Sequence, residues 1–396
     1  MFLMPKAGLP KRGSQPKLTW AHAAAWRAAR HCLDRRAPAG SLLETASRLC
    51  GLHAQVLSCA ELTAWARVEG LERGAVAKAL WRDRSLVKTW AMRGTLHLFP
   101  AHELPLWHGA LVSSARYLTP VRWQKYFGIS LEELERFTEA VAEALDGRIM
   151  TKQELSAEVA RLTGSPKLGA HLAESSWGTI LKPAAFRGRL CFGPSAGQRV
   201  TFTNPGTWLS NAGRPVGERL DPAAAMAEVT RRFLAAYGPA TFHDLGRWWD
   251  GGGGVTAARQ MIAALGEEVC TVEVEGKPAW MLTRDARELR GFTPDRSVRL
   301  LPGFDQYVVG ASHHAGRLLP GDFRARVYRP QGWISPVLLV NGLMAGVWRH
   351  ELVRSRVEVT IEPFGTVPAR VRRAAGREAE RLASFLGGTL SLAWRG

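Results

Sequence analysis

A 13-residue window occurs twice in the chain at a constant offset of 94 residues. The identical positions are Lys88, Ala91, Arg93, Gly94, Leu96 and Pro100 in the first copy, and Lys182, Ala185, Arg187, Gly188, Leu190 and Pro194 in the second. Six identities at one register indicate an internal duplication, which restricts the fold to repeats of a small unit. The first copy alternates like a pair of strands and follows several helical patterns. Helices followed by a hairpin predict a winged helix.

The helical periodicity extends this pattern to three units. A Thr-x-x-Glu capping box at Thr151 to Glu154 indicates the start of a helix in the second unit. A third, more diverged unit begins at Asp221 and ends with a predicted hairpin near residues 269–283. We therefore expect a basic disordered tail at residues 1–17 and winged helices at residues 18–117, 118–217 and 218–290.

The C-terminal region, residues 291–396, has a different character. Its strand-like segments are residues 298–310, 336–340, 343–349 and 356–361, followed by a basic helix at 367–386 and a last strand at 389–394. Asn341-Gly342 is the strongest short-range hairpin signal in the chain. The pattern predicts a small antiparallel barrel or sandwich with one helix, and an α+β fold class for the whole chain.

The charge of the chain indicates an anionic partner. Lys plus Arg number 53 against 35 Asp plus Glu, which gives a formal net charge of +18. Such a surplus attracts phosphate polymers, and only ten of the basic residues are lysines. Codon usage in a GC-rich genome accounts for the preference for Arg over Lys, but not for the surplus itself. We expect the chain to bind nucleic acid.

Several classes of protein are excluded or disfavoured by the sequence. No apolar run is long enough to span a membrane, and the Pro- and Lys-containing N-terminus does not resemble a signal peptide, which favours a cytoplasmic, nucleoid-associated location. Five scattered cysteines argue against disulfides and zinc. We expect no cofactor and no metal, because neither His313-His314 nor the group His97, His102, Glu103 and His108 has a ligand spacing. Gly251 to Gly254 lacks the Lys-Ser/Thr of a phosphate-binding loop and is interpreted as a flexible turn.

Six segments, in order along nearly the whole chain, resemble the AlkZ/YcaQ-type DNA glycosylases. They are Gly51-Leu52-His53-Ala54-Gln55, the small-residue helix ending at Ala66-Arg67, the stretch Met92 to Leu98, the turn Tyr237 to Thr241, the stretch Leu300 to Gly310, and the hairpin Val340 to Arg349. Each segment alone is a weak signal. Together they are fairly specific.

The resemblance implies three tandem winged helices and a C-terminal β-barrel that form a C-shaped clamp on duplex DNA. It also implies a monomeric glycosylase that hydrolyses the N-glycosidic bond of bulky N7-alkylguanine adducts, in base excision repair or in self-resistance to an alkylating antibiotic. The catalytic glutamine pair of the family corresponds to His53 and Gln55. His at the first position is associated with a subgroup acting on intercalating alkylators of the pluramycin or trioxacarcin kind.

These residue types suit an easy hydrolysis. Gln55 does not titrate near neutrality, so it can orient a water but cannot act as a strong base. His53 could hold the same water, donate to a phosphate or act as a weak base. Residues i and i+2 diverge on a helix, so their convergence requires that residues 51–55 not be regular helix throughout. Asp305 could stabilise positive charge on the sugar, or it could simply form a turn at a strand end. No Lys matches a catalytic position, so we expect no lyase activity.

The expected DNA contacts are in the two repeated windows. Arg93 and Arg187 occupy matched positions and could reach phosphates or a groove, although solvated hairpin tips are the alternative interpretation. His97, Lys88 and Lys182 complete the predicted DNA-binding set. The 15 tryptophans could stack on bases, but most lie at positions where core packing is the simpler explanation. A non-enzymatic winged-helix regulator or damage-binding protein remains the alternative function at this stage.

Overall fold

A computed structural model of the protein describes residues 17–113, 126–252, 254–311 and 315–395. Of the predicted tail at 1–17, only Lys17 lies within these residues, and His313-His314 lies outside them. The chain forms two compact units. The first unit combines the N-terminal residues up to Val76 with the C-terminal part from Thr230, and the second comprises Ala77–Val229. The predicted domain boundaries at 117/118, 217/218 and 290/291 remain predictions.

The elements of the N-terminal half alternate between short strands, helices and hairpins. They are β1 (Lys17–Leu18), α1 (Trp20–Arg30), α2 (Leu42–Arg48), β2 (Leu52–His53), α3 (Leu57–Trp65), α4 (Ala75–Ala77) running into a π-helical turn (Lys78–Arg82), β3 (Leu86–Trp90), β4 (Leu96–Pro100), α5 (Leu104–Leu111), α6 (Leu131–Ala144), β5 (Met150–Thr151), α7 (Lys152–Thr163), α8 (Pro166–Glu174), α9 (Lys182–Phe186), β6 (Cys191–Ala196), β7 (Arg199–Thr203) and α10 (Pro205–Ser210). Short 3₁₀ turns occupy Met92–Gly94, Ala101–Glu103 and Ser176–Leu181.

The C-terminal half begins with helices and ends in a sheet. Its elements are α11 (Pro222–Tyr237), α12 (Phe242–Asp250), α13 (Val255–Ala263), β8 (Val269–Val274), β9 (Lys277–Leu282), α14 (Thr283–Gly291), β10 (Val298–Leu301), α15 (Gln306–Gly310), α16 (Ala315–Leu318), α17 (Arg324–Val327), β11 (Val337–Val340), β12 (Leu343–Val353), β13 (Arg356–Pro363), α18 (Ala369–Leu386) and β14 (Thr389–Trp394), with 3₁₀ turns at Gly266–Glu268 and Pro330–Gly332.

The core of the first unit joins residues that are far apart in the sequence. Buried side chains of α1 and α3, including Ala24, Ala28 and Trp65, pack in one cluster with the C-terminal sheet and with the apolar face of α18. A second cluster packs Trp20 and Trp26 of α1 against the hairpin β8–β9 and α14. These shared cores fix α3, and the segment before it, against the C-terminal region.

The C-terminal sheet is mixed and open, which corrects the prediction of a barrel. Its order is β10-β11-β12-β13-β14, and the last two strands are parallel. Among the described residues, β10 and β14 have no strand on their outer sides. Helix α18 contacts both edge strands, so its apolar face covers the core where a barrel would need pairing between first and last strands. The Asn341-Gly342 hairpin is confirmed, with both residues at positive φ (50° and 79°) and Val340 paired with Leu343.

The strand predicted for residues 298–310 is wrong beyond Leu301. Pro302 and Gly303 follow the strand, and Asp305 caps helix α15 by accepting a hydrogen bond from the backbone N–H of Tyr307 at 2.9 Å. An Asp that accepts from a backbone N–H two residues ahead satisfies a free donor of the first helical turn. The hydrogen bond from Tyr307 to Asp305 therefore starts a helix where the apolar run Tyr307-Val308-Val309 favoured a strand.

The second unit contains a three-stranded sheet in the order β5-β7-β6. The short strand β5 pairs antiparallel with β7, the second strand of the hairpin β6–β7. The predicted capping box at the start of α7 is confirmed, because Thr151 and Glu154 each accept from the other's backbone N–H. In the first unit, Ala240 forms an antiparallel bridge with Trp280 of β9, which repeats the pattern of a short segment on a hairpin's second strand.

The repeat at an offset of 94 residues is only partly preserved in secondary structure. Lys88–Trp90 lie in strand β3, whereas the matched residues 182–184 lie in helix α9. Pro183 stands where the first copy has Thr89. Proline cannot donate to a strand ladder and is well tolerated in the first turn of a helix. The second hairpin lies later, at β6–β7, so Arg187 follows a helix and is not at a hairpin tip. The duplication predicted from this window is therefore wrong at these positions.

None of the helices within the described ranges has the length and apolar character that crossing a membrane requires.

Candidate active site

The segment between α2 and α3 is not helical, as the sequence analysis required. Cys50 and Gly51 both have positive φ, 59° and 89°, and they turn the chain sharply after α2. Glycine adopts this conformation without steric cost, which explains its use at position 51. The chain then extends through β2, and α3 begins only at Leu57. Residues i and i+2 of an extended segment can face the same side, so His53 and Gln55 are free of the divergence that a helix would impose.

The two motif residues differ in exposure. Gln55 is exposed, so its amide is accessible from solvent. His53 is only 5% exposed. Its backbone N–H donates to Oε1 of Gln306 at 3.3 Å, and its ring stacks on Phe304 with centroids 6.0 Å apart and planes 15° apart. The backbone N–H and the imidazole of His53 thus both contact residues of the C-terminal region, while the side chain two residues later is exposed.

Asp305 is completely buried and fully engaged. Its two oxygens accept from the guanidinium of Arg67 at 2.7 and 2.8 Å, and neither side chain has any exposed surface. Oδ1 also caps α15 through the backbone N–H of Tyr307. With no exposed atom, the carboxylate does not touch a ligand at the surface. It fixes the loop that carries Phe304 and Gln306, the two residues that contact His53.

Gln306 was not predicted from the sequence. It is 4% exposed, and its Oε1 accepts from the motif backbone, whereas its Nε2 has no hydrogen-bond partner among the described residues. A buried amide donor without a partner is costly unless a water or a ligand completes it. The signal that could have found it is its position directly after the capping Asp305, although nothing local links it to His53.

Phe304 has a strained backbone. Its φ is 59°, in the left-handed region that bulky residues adopt rarely. A non-glycine residue held in this region costs of the order of 1–3 kcal/mol, and such residues cluster at functional sites. In this backbone conformation the Phe304 ring contacts two other rings. It stacks on the imidazole of His53, and its centroid lies 5.2 Å from that of Trp333.

The predicted DNA-binding residues of the first hairpin lie in different environments. Arg93 is half-buried in the turn between β3 and β4, with a φ of 59°. Lys88 is half-buried, its Nζ lies 5.2 Å from the ring centroid of Phe192, and burial lowers its pKa. His97 is only 2% exposed, donates from Nδ1 to the carbonyl oxygen of Thr95 at 3.1 Å, and does not reach the surface. Its burial corrects the expectation that it contacts DNA directly.

The predicted residues of the second window lie around helix α9. Lys182 begins this helix and is half-buried. Arg187 follows the helix and forms a two-point ion pair with Glu135 of α6, one contact of which is 2.7 Å from NH2 to Oε1. The hydrogen bond from Arg187 lowers the pKa of Glu135. Any phosphate contact by Arg187 must therefore compete with a carboxylate that already binds it.

In the described ranges, no cluster of three or more His, Cys, Asp or Glu side chains has the arrangement of a metal site. The five cysteines are free thiols.

Comparison with known proteins identifies the chain. A family model described as "DNA glycosylase AlkZ-like" matches residues 46–385. An interstrand DNA cross-link repair glycosylase of Streptomyces sahachiroi is 36% identical over 375 residues, which cover 94% of this chain and 97% of the relative. The solved structure of the Streptomyces sahachiroi DNA glycosylase AlkZ is similar with a TM-score of 0.84 and 34% identity, covering 96% of this chain and 100% of that chain.

The fold and the sequence therefore define an enzyme of the DNA glycosylase class, which acts on DNA and in DNA repair. The chain belongs to the AlkZ-like DNA glycosylase family. The alternative of a non-enzymatic regulator is set aside by this membership.

Proposed function

We propose that the protein excises bulky N7-alkylguanine adducts from duplex DNA by hydrolysing the N-glycosidic bond, and that it leaves an abasic site. The adduct comes from an alkylating natural product with an intercalating ring system, and the activity serves repair or self-resistance. A relative is named for interstrand DNA cross-link repair, and a cross-link is a bulky covalent lesion, which supports a bulky adduct as the substrate class. Three winged-helix units and a clamp around the duplex are part of the same proposal.

The observation that carries the proposal is the exposed amide of Gln55 on a non-helical segment beside a fixed imidazole. A glutamine amide offers an acceptor oxygen and two N–H donors but takes up no proton near neutrality. It can orient a water toward the sugar but cannot activate a poor leaving group. The substrate must therefore carry its own activation.

An N7-alkylated guanine meets this requirement. Alkylation places a positive charge on the base, so the base departs as a neutral molecule without prior protonation. The bond between the sugar and N9 of the base breaks, its electrons go to the base, and water adds to the resulting oxocarbenium-like carbon and releases a proton to solvent. Positioning and electrostatics then remain as the contribution of the enzyme, and these can supply several kcal/mol. In this proposal His53, which is 5% exposed, positions the water or a flanking phosphate, and Asp305 acts through the loop whose Phe304 and Gln306 contact His53.

In this proposal the reaction ends at hydrolysis, because the two segments that form the candidate site contribute no lysine for a Schiff base with the sugar. Neither the motif segment nor the 302–306 loop contains a lysine. Treatment of the reaction with borohydride should therefore trap no covalent protein–DNA product. A trapped species would show that a lyase step exists.

The test of the proposed function is single-turnover excision from duplexes that carry one N7-methylguanine or one bulky N7-guanine adduct, scored as alkali-labile abasic sites. Wild-type protein should release the bulky base. Gln55→Ala and His53→Ala should lower the rate constant at least 100-fold while DNA binding persists. Gln153→Ala, which removes an exposed glutamine from α7, is the matched control and should react as the wild type does. Release that survives both motif substitutions would refute the site.

A further inference from the structure

Beside the motif segment, the first unit contains a cavity of about 400 Å³. Its walls come from the start of α3, the loop after β10, the loop before β11, strand β12 and the end of α18. Four aromatic rings line it, those of Phe304, Trp333, Trp348 and Phe385. A volume of this size falls in the range of small-molecule sites, which are predominantly apolar and aromatic.

The cavity is adjacent to the candidate active site. Phe304 lines the cavity and also stacks on His53. Ser58, three residues after Gln55, lines the cavity from the first turn of α3. The cavity and the motif segment therefore share Phe304 as a common wall.

The two tryptophans that line the cavity differ in exposure. The indole N–H of Trp348 donates to the backbone carbonyl of Leu301 at 2.8 Å, and Trp348 is 3% exposed. Trp333, in contrast, is 55% exposed, and its ring lies 5.2 Å from that of Phe304. An exposed aromatic side chain beside an apolar cavity offers a surface on which an aromatic ligand can stack.

Several polar groups of the cavity are held by the protein or are uncharged. Glu61 accepts from the backbone N–H of Gly74 at 2.7 Å, and Arg73 donates to the carbonyl of Leu386 at 2.9 Å. Burial lowers the pKa of His350, so its ring is neutral at pH 7. Burial, with a smaller contribution from the charge of Asp305, raises the pKa of Cys59 to about 11. A protonated thiol is a poor nucleophile, so Cys59 is protected from alkylation by a reactive group nearby.

We propose that this cavity binds the fused aromatic ring system of the adduct, stacked on the exposed face of Trp333, and that Trp333 determines specificity for adducts that carry such a ring. This inference rests on the proposed function, because it assigns the ligand class at the same site. A single N7-methyl group cannot reach the stacking surface, so the contribution of Trp333 should be specific to bulky aromatic adducts.

The experiment measures single-turnover excision from two duplexes, one with N7-methylguanine and one with the N7-guanine adduct of aflatoxin B1 epoxide, which carries a fused ring system. Trp333→Ala should lower the rate constant for the aflatoxin adduct by about 5- to 150-fold, the range that aromatic stacking covers. Its rate on N7-methylguanine should stay within about twofold. Trp333→Phe keeps a ring and should restore most of the lost rate. Tyr126→Ala, which removes a side chain that is 76% exposed in the second unit, is the control and should change neither rate.

Equal slowing of both substrates by Trp333→Ala, or no slowing of either, would overturn the inference while leaving the proposed function intact. If the wild type excises neither adduct, the proposed function fails, and binding of free aflatoxin B1, which is not itself an alkylator, then decides the inference. Saturable quenching of tryptophan fluorescence that Trp333→Ala abolishes would support the cavity as an aromatic site. Absence of saturable quenching would refute it.

Discussion

Two arginine–carboxylate ion pairs both make two-point contacts, but one lies in the interior of the first unit and the other at the surface of the second. Arg67 and Asp305 form a two-point pair in which both side chains are 0% exposed. Arg187 and Glu135 also form a two-point pair, but their side chains are 25% and 53% exposed. The sequence singled out one member of each, Asp305 as a catalytic residue and Arg187 as a DNA contact.

The difference shows that burial decides what such a pair can do. A buried pair is costly to form and more costly to break, because removal of one partner leaves an uncompensated charge away from water. A surface pair contributes little and exchanges readily with other ions. We therefore expect Asp305 to act through the structure that it fixes, and Arg187 to remain available to a phosphate when DNA approaches.

The largest expected effect is on the buried pair. Asp305→Ala leaves the guanidinium of Arg67 buried and unpaired and removes the cap of α15, so the free energy of unfolding should fall by about 3–5 kcal/mol. Urea denaturation followed by circular dichroism measures this change. The double variant Arg67→Met/Asp305→Leu, which removes both charges at similar volume, should regain most of the loss. A loss below about 1 kcal/mol in the single variant would mean that water reaches the pair in solution.

The sequence predicted individual helices and hairpins but not the contacts between distant segments. The basic helix predicted at 367–386, the capping box at Thr151 and the Asn341-Gly342 hairpin are local features with local signals, and the structure contains all of them, the helix as Ala369–Leu386. The Arg67–Asp305 pair spans 238 residues and the His53–Gln306 contact 253. No periodicity or spacing encodes such contacts, because they arise only when two distant segments share one core.

The 13-residue repeated window shows the opposite failure. Its six identities are real, but the copies differ in secondary structure where Pro183 of the second copy stands in place of Thr89. A Pro has no backbone N–H for a ladder, so identity at six other positions does not preserve the local structure. The motif segment was better constrained, since the chemistry of two converging side chains required a non-helical chain and the structure has one.

The second expected effect tests whether water reaches the surroundings of the buried Arg67–Asp305 pair. His31 is fully buried, with its ring 5.2 Å from that of Tyr307. Burial, followed by the charges of Arg67 and Arg27, lowers its pKa well below the usual value. The unfolded chain then binds a proton below about pH 6.5 that the folded chain does not, so stability is retained above this pH and falls below it.

The slope contributed by His31 should approach about 1.4 kcal/mol per pH unit below pH 6. Urea midpoints between pH 7.5 and pH 5 measure it. His31→Gln should flatten the dependence, although His108, whose pKa burial lowers to about 4, keeps part of it. An unchanged slope in the variant would show that His31 is hydrated and titrates normally in the folded protein.

The third effect concerns DNA binding by the surface pair. In a Glu135→Gln background Arg187 no longer has its ion-pair partner, so a further Arg187→Ala substitution should reduce the salt slope of DNA affinity by about one unit. In the wild-type background the same substitution should reduce it by less, because part of the charge of Arg187 is already neutralised by Glu135. Fluorescence anisotropy of a labelled duplex over a range of NaCl concentrations measures both slopes. Identical slopes in all four proteins would exclude Arg187 from the DNA interface.

The smallest effect is on stability at the surface. Glu135→Gln should lower the free energy of unfolding by only about 0.2–1 kcal/mol, as exposed ion pairs do. This loss should vanish at 1 M NaCl, where the Debye length shrinks to about 3 Å, whereas the cost of Asp305→Ala should persist because salt does not screen a charge that water cannot reach. Urea denaturation of both variants at about 0.1 M and 1 M NaCl compares them directly. If salt removed the cost of both substitutions alike, the two pairs would be equally solvated, and burial could not be the reason that they differ.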